Sequence, residues 1–326
     1  MMTRFLMKCM IMAVALSMAV RASAQDNPFQ AHVRPTDPLT PAAQRETFVL
    51  PDGFEISLVV SEPQIAKPMN MAFDHRGRLW VTTSDAYPWE IEPGQHHRFM
   101  DSVVILEDEN GDGSADCITT FADNLNIPIG IYPYRDGAIV WSIQNILHLM
   151  DTDGDGVADR RDVLYGPLGK PRDTHGMQNA FRRGYDGWLY VNHGFNNDSV
   201  LRGSDGSEIH LNSGNTYRIR LDGSRVEQYT WGQVNPFGSS FDRFGFLYTA
   251  DCHSQPIYQL IPGAYYPSFG KPHDGLGFAP KVMQHSHGST AISGLVIMDD
   301  PIWPEAYRDN LLVGNVMTSR VNRDRM

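Results

Sequence analysis

A short phrase recurs five times along this chain: an apolar or aromatic residue, a polar turn closed by glycine or a close substitute, then an alternating apolar run. The clear copies are Phe73 to Val81, Tyr185 to Val191 and Phe241 to Tyr248; weaker ones run from Tyr134 to Trp141 and from Tyr307 to Val313. From Gly77 to Gly137, Gly187, Gly245 and Asn310 the markers are 60, 50, 58 and 65 residues apart. The turn supplies the positive φ that a tight hairpin needs, and the alternation after it buries one face of a strand. One such unit cannot cover its own apolar face, so copies must stack. A period of this length suits a four-stranded blade with long connecting loops.

The expected fold class is therefore all-β, a six-bladed β-propeller of which about five blades lie in this chain. A two-sheet sandwich is the alternative. The 29 Gly and 21 Pro among 326 residues and the lack of a long capped 3.6-residue period argue against a helical bundle. The formal charge of −11 argues against a nucleic-acid partner and leaves room for cations.

Arg4 and Lys8 precede the apolar run Cys9 to Val20, and Ala22-Ser23-Ala24 follows with small residues. This predicts a signal peptide over residues 1–24, cleaved before Gln25, and a periplasmic or secreted product. Residues 25–47 read as an arm or linker, and residues 48–326 as the propeller, stopping short of its last blade. Cys117 and Cys252 are the thiols left after cleavage. No C-x-x-C-H occurs, so the chain carries no site for covalent haem.

Two stretches, Asp108 to Asp116 and Asp151 to Asp159, both read D-x-[DN]-G-D-G-x-A-D. Asp108, Asn110, Asp112, Ser114 and Asp116 in the first, and Asp151, Asp153, Asp155, Val157 and Asp159 in the second, stand where a calcium loop places its oxygen ligands, Val157 through its carbonyl. Neither has the Glu at position 12 of a helix-loop-helix hand, and the flanks read as strands. They are expected to be calcium-loop-like hairpin tips with a structural role. The histidines form a second signal: His96, His97, His175, His193, His253, His273, His285 and His287 all stand in polar, Gly-rich surroundings.

The stretch Asp173-Thr174-His175-Gly176 leading into Tyr185 to Val191 and on to Asn192-His193-Gly194 resembles the soluble quinoprotein glucose/sorbosone dehydrogenase superfamily, which are six-bladed propellers. The resemblance implies that His175 is the general base that takes a hydroxyl proton while hydride passes to pyrroloquinoline quinone (PQQ). It also implies that Asn235 and Pro236, in Gln233-Val234-Asn235-Pro236-Phe237-Gly238, match the family's R-N-P-x-G segment, with Asn235 a cofactor contact. Val234 stands where the arginine is expected, and a valine cannot pair with a cofactor carboxylate. Arg320 and Arg323 fall where the family places basic cofactor contacts.

The phrases Gly232 to Asp242, Ala250-Asp251-Cys252-His253-Ser254 and Ala279 onward to Arg325 resemble more closely the membrane-bound dehydrogenase domain of planctomycete and verrucomicrobial exported proteins. That resemblance implies a sugar or polyol substrate and a cytochrome c domain as electron acceptor in a longer chain. Two other readings stand beside it. A calcium-dependent lactonase-like hydrolase would use Asn192, Asn235 and Asp251 as ligands, and a non-catalytic carbohydrate- or protein-binding propeller would account for Val234.

Overall fold

The computed structural model describes residues 37–89, 101–253, 257–269, 276–280, 282–283, 287 and 291–325. The expected signal peptide and His96, His97, His273 and His285 lie outside them. The chain divides into two units, Met1–Ile56 and Ser57–Met326. In the first, one short helix, α1 (Pro41–Arg45), starts at Thr40, whose hydroxyl accepts from the Ala43 N–H at 3.2 Å, with Pro41 at the first helical position.

The second unit is built of antiparallel sheets taken in chain order. Blade 1 is β1 (Pro68–Phe73), β2 (Leu79–Thr83), β3 (Asp101–Glu107) and β4 (Cys117–Leu125). Blade 2 is β5 (Ile131–Tyr134), β6 (Gly137–Ser142), β7 (Asn145–Met150) and β8 (Arg160–Tyr165). Blade 3 begins with β9 (Asn179–Arg183) and β10 (Leu189–His193). It then sends out a separate hairpin, β11 (Asp198–Arg202) and β12 (Glu208–Asn212), before closing with β13 (Asn215–Ile219) and β14 (Val226–Trp231). Blade 4 has β15 (Pro236–Phe241), β16 (Leu247–Asp251) and β17 (Ile257–Leu260); blade 5 has β18 (Ile292–Met298), β19 (Asn310–Asn315) and β20 (Arg320–Arg325). The first strands, β1, β5, β9, β15 and β18, touch one another in that order. They are the inner strands of a propeller with five blades among the described residues.

Strand β6 decides between propeller and sandwich. Every residue of Gly137–Ser142 is buried. Ala138 and Val140 pack into one core with Trp80, Ile105 and Phe121 of blade 1, while Ile139 and Trp141 pack into another with Phe181, Leu189 and Tyr217 of blade 3. Period-2 alternation turns successive side chains to opposite faces, so both faces of this sheet are covered, by different sheets. The same holds for β10: Leu189 and Val191 face blade 2, and Tyr190 faces Leu247 and Tyr258 of blade 4. Fully burying each such side chain contributes about 1.5–3 kcal/mol, which a blade standing alone would forfeit.

The recurring phrase forms the hairpin between the first two strands of a blade. In three copies its aspartate holds the turn. Asp74 Oδ1 accepts from the Arg76 and Arg78 N–H groups at 2.8 and 3.0 Å, and Asp242 Oδ1 from those of Phe244 and Phe246 at 2.9 and 2.8 Å. Asp186 accepts from the Trp188 N–H at 3.2 Å. These are Asx turns, the local bonding that favours aspartate at this place.

The acidic stretches are the hairpin tips β3–β4 and β7–β8. Each docks on chain that precedes its own blade. The Ala158 N–H donates to the Phe121 carbonyl of blade 1 at 2.7 Å. At the corresponding position of the first stretch, the Ala115 N–H donates to the Val59 carbonyl at 2.9 Å, and Ser114 Oγ donates to the Leu58 carbonyl at 3.0 Å. Val60 and Ile65 pack on Val81, Val104 and Leu106. The segment 57–65 thus covers the face of blade 1 that blade 2 leaves open. No helix among the described residues is long and apolar enough to cross a membrane.

Candidate functional site

The strand order gives the propeller two ends. At the upper end the inner strands begin and the second strands finish; at the lower end lie the five repeated turns and both acidic tips. His175, Asn235 and Pro236 are at the upper end. The acidic stretches are therefore at the opposite end from the proposed base.

His175 lies in the loop between β8 and β9. Its Nδ1 is 2.8 Å from Asp173 Oδ1, which also accepts the His175 backbone N–H at 2.9 Å. The ring is exposed, at 61%, and its face meets Tyr87 edge-on at 5.3 Å. A carboxylate accepts only, so it holds the proton on Nδ1 and leaves the Nε2 lone pair outward. Asn197 fixes the loop: its Oδ1 accepts from the Arg172 and Asp173 N–H groups at 2.8 and 3.1 Å, and its Nδ2 donates to the carbonyls of Asp173 and Gly176, both at 2.7 Å.

From there hydrogen bonds lead without a break to Asn235. The Gly194 N–H donates to the Gly176 carbonyl at 3.1 Å, and the Phe195 N–H to Asn235 Oδ1 at 3.0 Å. The Asn235 N–H donates to buried Asp251 at 2.7 Å, and Asp251 also accepts the Val234 N–H. A Cβ on Gly176 would sit 2.3 Å from the Phe195 carbonyl oxygen, and one on Gly194 2.4 Å from Asn235 Oδ1. Glycine is required at both positions because the two loops touch through their backbones. The structure thus brings His175 and Asn235 into one network. Asp173, Asn197 and the glycine pair are its supporting members, and the sequence reading had given none of them a role. The Asp-Thr-His order at 173–175, an acid two positions before a histidine, is the signal that could have marked Asp173.

The remaining candidates differ in where they lie and what they bond. Pro236 opens β15 and is buried. Arg320 is at the upper end of the outer strand of blade 5, while Arg323 lies lower, its guanidinium 4.3 Å from the Tyr307 ring. Asn192 donates to Ser239 and Thr249 and accepts from Thr216, all buried. With Asp251 engaged by the backbone, the ligand set of the hydrolase reading is committed to holding strands together. His193 is buried between the Ser213 carbonyl and Ser199 Oγ, and His287 Nε2 bonds Asp324 at 2.8 Å. Cys117 and Cys252 are free thiols at opposite ends, and burial pushes the Cys252 thiol up.

At the lower end, Asp151, Asp153 and Asp155 bring carboxylate oxygens within 4.8 Å of one another. Desolvation, the largest single influence, pushes the Asp151 carboxyl up, but hydrogen bonds with the Gly156, Gly154 and Asp155 N–H groups and with the Asp153 side chain together outweigh it and hold it below the usual carboxylate range. Asp159 closes the loop on itself, accepting from the Thr152 hydroxyl at 2.6 Å, as Asp116 does from the Glu109 N–H at 2.8 Å. The ninth positions therefore serve loop closure. In the first stretch Asp108 accepts from the N–H groups of Gly111, Asp112 and Gly113. Beside the second stretch a cleft of about 850 Å³ opens between blades 1 and 2, lined by His75, Arg76, Arg135 and Asp153 among others.

The fold is a β-propeller of the shape found in glucose dehydrogenases. An oxidoreductase (glucose dehydrogenase) from Thermus thermophilus superposes with a TM-score of 0.54 at 16% identity over 79% of each chain. The PQQ-bound form of aldose sugar dehydrogenase from Streptomyces coelicolor gives 0.55 at 16% identity, over 80% of this chain and 78% of that one. A further glucose dehydrogenase gives 0.53 at 14% identity, over 81% and 83%. The family model of a domain of unknown function, DUF7133, matches residues 40–326, and the chain belongs to that family. No curated protein matches the sequence.

PQQ carries three carboxylates and needs cationic donors. On blades 3 and 4 at the upper end, Val234 is buried, Arg172 is paired with Asp198, and His175 is turned to Asp173. The described residues there fit a proton acceptor for a hydroxyl group. They do not fit a tricarboxylate quinone.

Proposed function

We propose that this is an exported propeller of the oxidoreductase kind that acts on a hydroxyl group of a sugar or polyol at the upper end of the blades, with His175 as the proton acceptor. The observation that carries this reading is the Asp173–His175 pair: an exposed imidazole oriented by a carboxylate, on a loop tied to Asn235. As the carbinol carbon gives up its hydride to an added two-electron acceptor, a soluble quinone or dye that these residues do not themselves hold, the hydroxyl proton goes to Nε2, and the imidazolium that forms is stabilised by Asp173. Asn235, through the Phe195 N–H, keeps the loop beside the reacting group. The calcium proposed for Asp151, Asp153 and Asp155 acts at a distance, by stiffening a hairpin tip.

The test is dye-coupled oxidation of a panel of aldoses and polyols by the exported protein, with and without added calcium and quinone. Turnover that is lost in His175→Ala supports the proposal. Turnover unchanged in that variant refutes it. Val234 favours a second reading, sugar binding without turnover, for which the same panel would give saturable binding by calorimetry and no dye reduction.

A further inference from the structure

The cleft of about 850 Å³ between blades 1 and 2 has a fixed floor. Trp80, Ile105 and Phe121 form it, all but sealed from solvent, with the Trp80 and Phe121 rings edge to face at 4.7 Å and the Trp80 indole N–H donating to Asp74 at 3.0 Å. A second hollow of about 270 Å³ adjoins it and shares His75, Trp80 and Arg135. That size, and an apolar floor under a polar rim, are the features of a small-molecule site.

The rim is of two kinds. Toward the inner strands stand Arg76 and Arg78 of the first repeated turn and Arg135 of the second; toward the outer strands stand Asp151, Thr152 and Asp153 of the acidic tip. Arg78 is held by Asp74 and Glu107, whereas Arg76 and Arg135 pair with no carboxylate among the described residues. Arg135 also breaks the chemistry of its own turn. The other four repeated turns put a positive φ on Gly77 (79°), Gly187 (82°), Gly245 (86°) and Asp309 (55°), residue types that accept it. In blade 2 that place is taken by Arg135, with a φ of 54° and its guanidinium 5.0 Å from the Tyr134 ring centre. An arginine gains nothing locally from a left-handed backbone, and a strained residue kept on the wall of a cleft points to a role in that cleft.

We infer that this cleft binds a sugar acid, its carboxylate on the Arg76 and Arg135 guanidinium groups, its ring carbons over the Trp80–Phe121 floor and its hydroxyls toward Asp151 and Asp153. Unpaired guanidinium groups call for an anion, an apolar floor takes C–H groups, and carboxylates take hydroxyl donors. Hydroxyl oxygens serve equally as ligands to a calcium ion at the tip, so the site does not depend on that ion. It is separate from the reaction proposed for His175, at the opposite end of the blades.

Calorimetric titration of the whole protein with glucuronate, glucose and acetate, in chelator and again in calcium, tests it. Glucuronate is expected to bind about tenfold more tightly than glucose, which lacks the carboxylate, or acetate, which lacks the ring and hydroxyls. Arg76→Gln and Arg135→Gly should each weaken glucuronate about fivefold or more. Arg135→Gly relieves the turn while removing the guanidinium, so its Tm should equal or exceed that of wild type, and its loss of affinity is then not a loss of folding. No glucuronate binding by the wild type, glucose bound as tightly, or full affinity in Arg135→Gly would each overturn the inference. So would binding seen only in calcium, which would put the carboxylate on the ion and not on the arginines.

Discussion

His175 Nδ1 and Asp173 Oδ1 lie 2.8 Å apart, and the same carboxylate oxygen accepts the His175 backbone N–H. One oxygen therefore fixes both the ring and the main chain. His175→Ala is expected to lower kcat about 10²–10⁴-fold for whatever hydroxyl substrate is turned over. Asp173→Asn should cost less in rate, because the amide keeps a bond to the loop but no longer dictates the tautomer. Steady-state kinetics of both variants check this; equal losses would mean that Asp173 does more than orient the ring.

Asp74 ties the first repeated turn together and bonds the Arg78 guanidinium and the Trp80 indole at 2.8 and 3.0 Å. Burial pushes its carboxyl up, but the Trp80, Arg78 and Arg76 hydrogen bonds outweigh this and hold it below the usual carboxylate range. A lowered folded value means that the stabilisation is full above the unfolded pKa and is lost as pH falls through the folded one. Asp74→Asn should cost about 2 kcal/mol at neutral pH, with the difference from wild type shrinking below pH ~4. Denaturant unfolding at neutral and acid pH would show a constant difference if the idea is wrong.

Calcium is expected to raise the Tm in the millimolar range or below, and a chelator to reverse the rise. Asp153→Asn combined with Asp155→Asn should reduce the effect while leaving sugar turnover unchanged, since the tip is at the other end of the blades. A turnover loss that tracks calcium occupancy would contradict that separation.

Gly194→Ala places a methyl group 2.4 Å from Asn235 Oδ1 and 2.6 Å from the Gly176 Cα. The loops must part, and we expect a stability loss of about 1–3 kcal/mol together with a fall in turnover. Gly206→Ala, at an open turn with φ of 89° and nothing within 4 Å of the added atom, should cost about 1 kcal/mol through backbone strain yet spare turnover, and so serves as the control for the turnover loss alone.

The propeller was legible because its turn chemistry repeats: an aspartate, a glycine and an alternating strand recur, and the structure puts each copy at the same hairpin. The β11–β12 hairpin escaped notice because its alternation, Asp198 to Arg202 and Glu208 to Asn212, looks like any strand pair and nothing local says that it stands outside the blade. At the site, His175 and Asn235 were found by resemblance, 60 residues apart. The path between them runs through main-chain contacts at Gly176 and Gly194 that depend on two loops meeting in space.

Each acidic tip rests on polypeptide that comes earlier in the chain, Ala115 on Val59 and Ala158 on Phe121. A chain that emerges amino end first always has the support for its next hairpin already made. Blade 1 has its platform before its own third and fourth strands appear, and blade 2 has one when blade 1 is complete. Assembly can then proceed as a ratchet, one blade at a time, without holding several unfinished sheets open to aggregation.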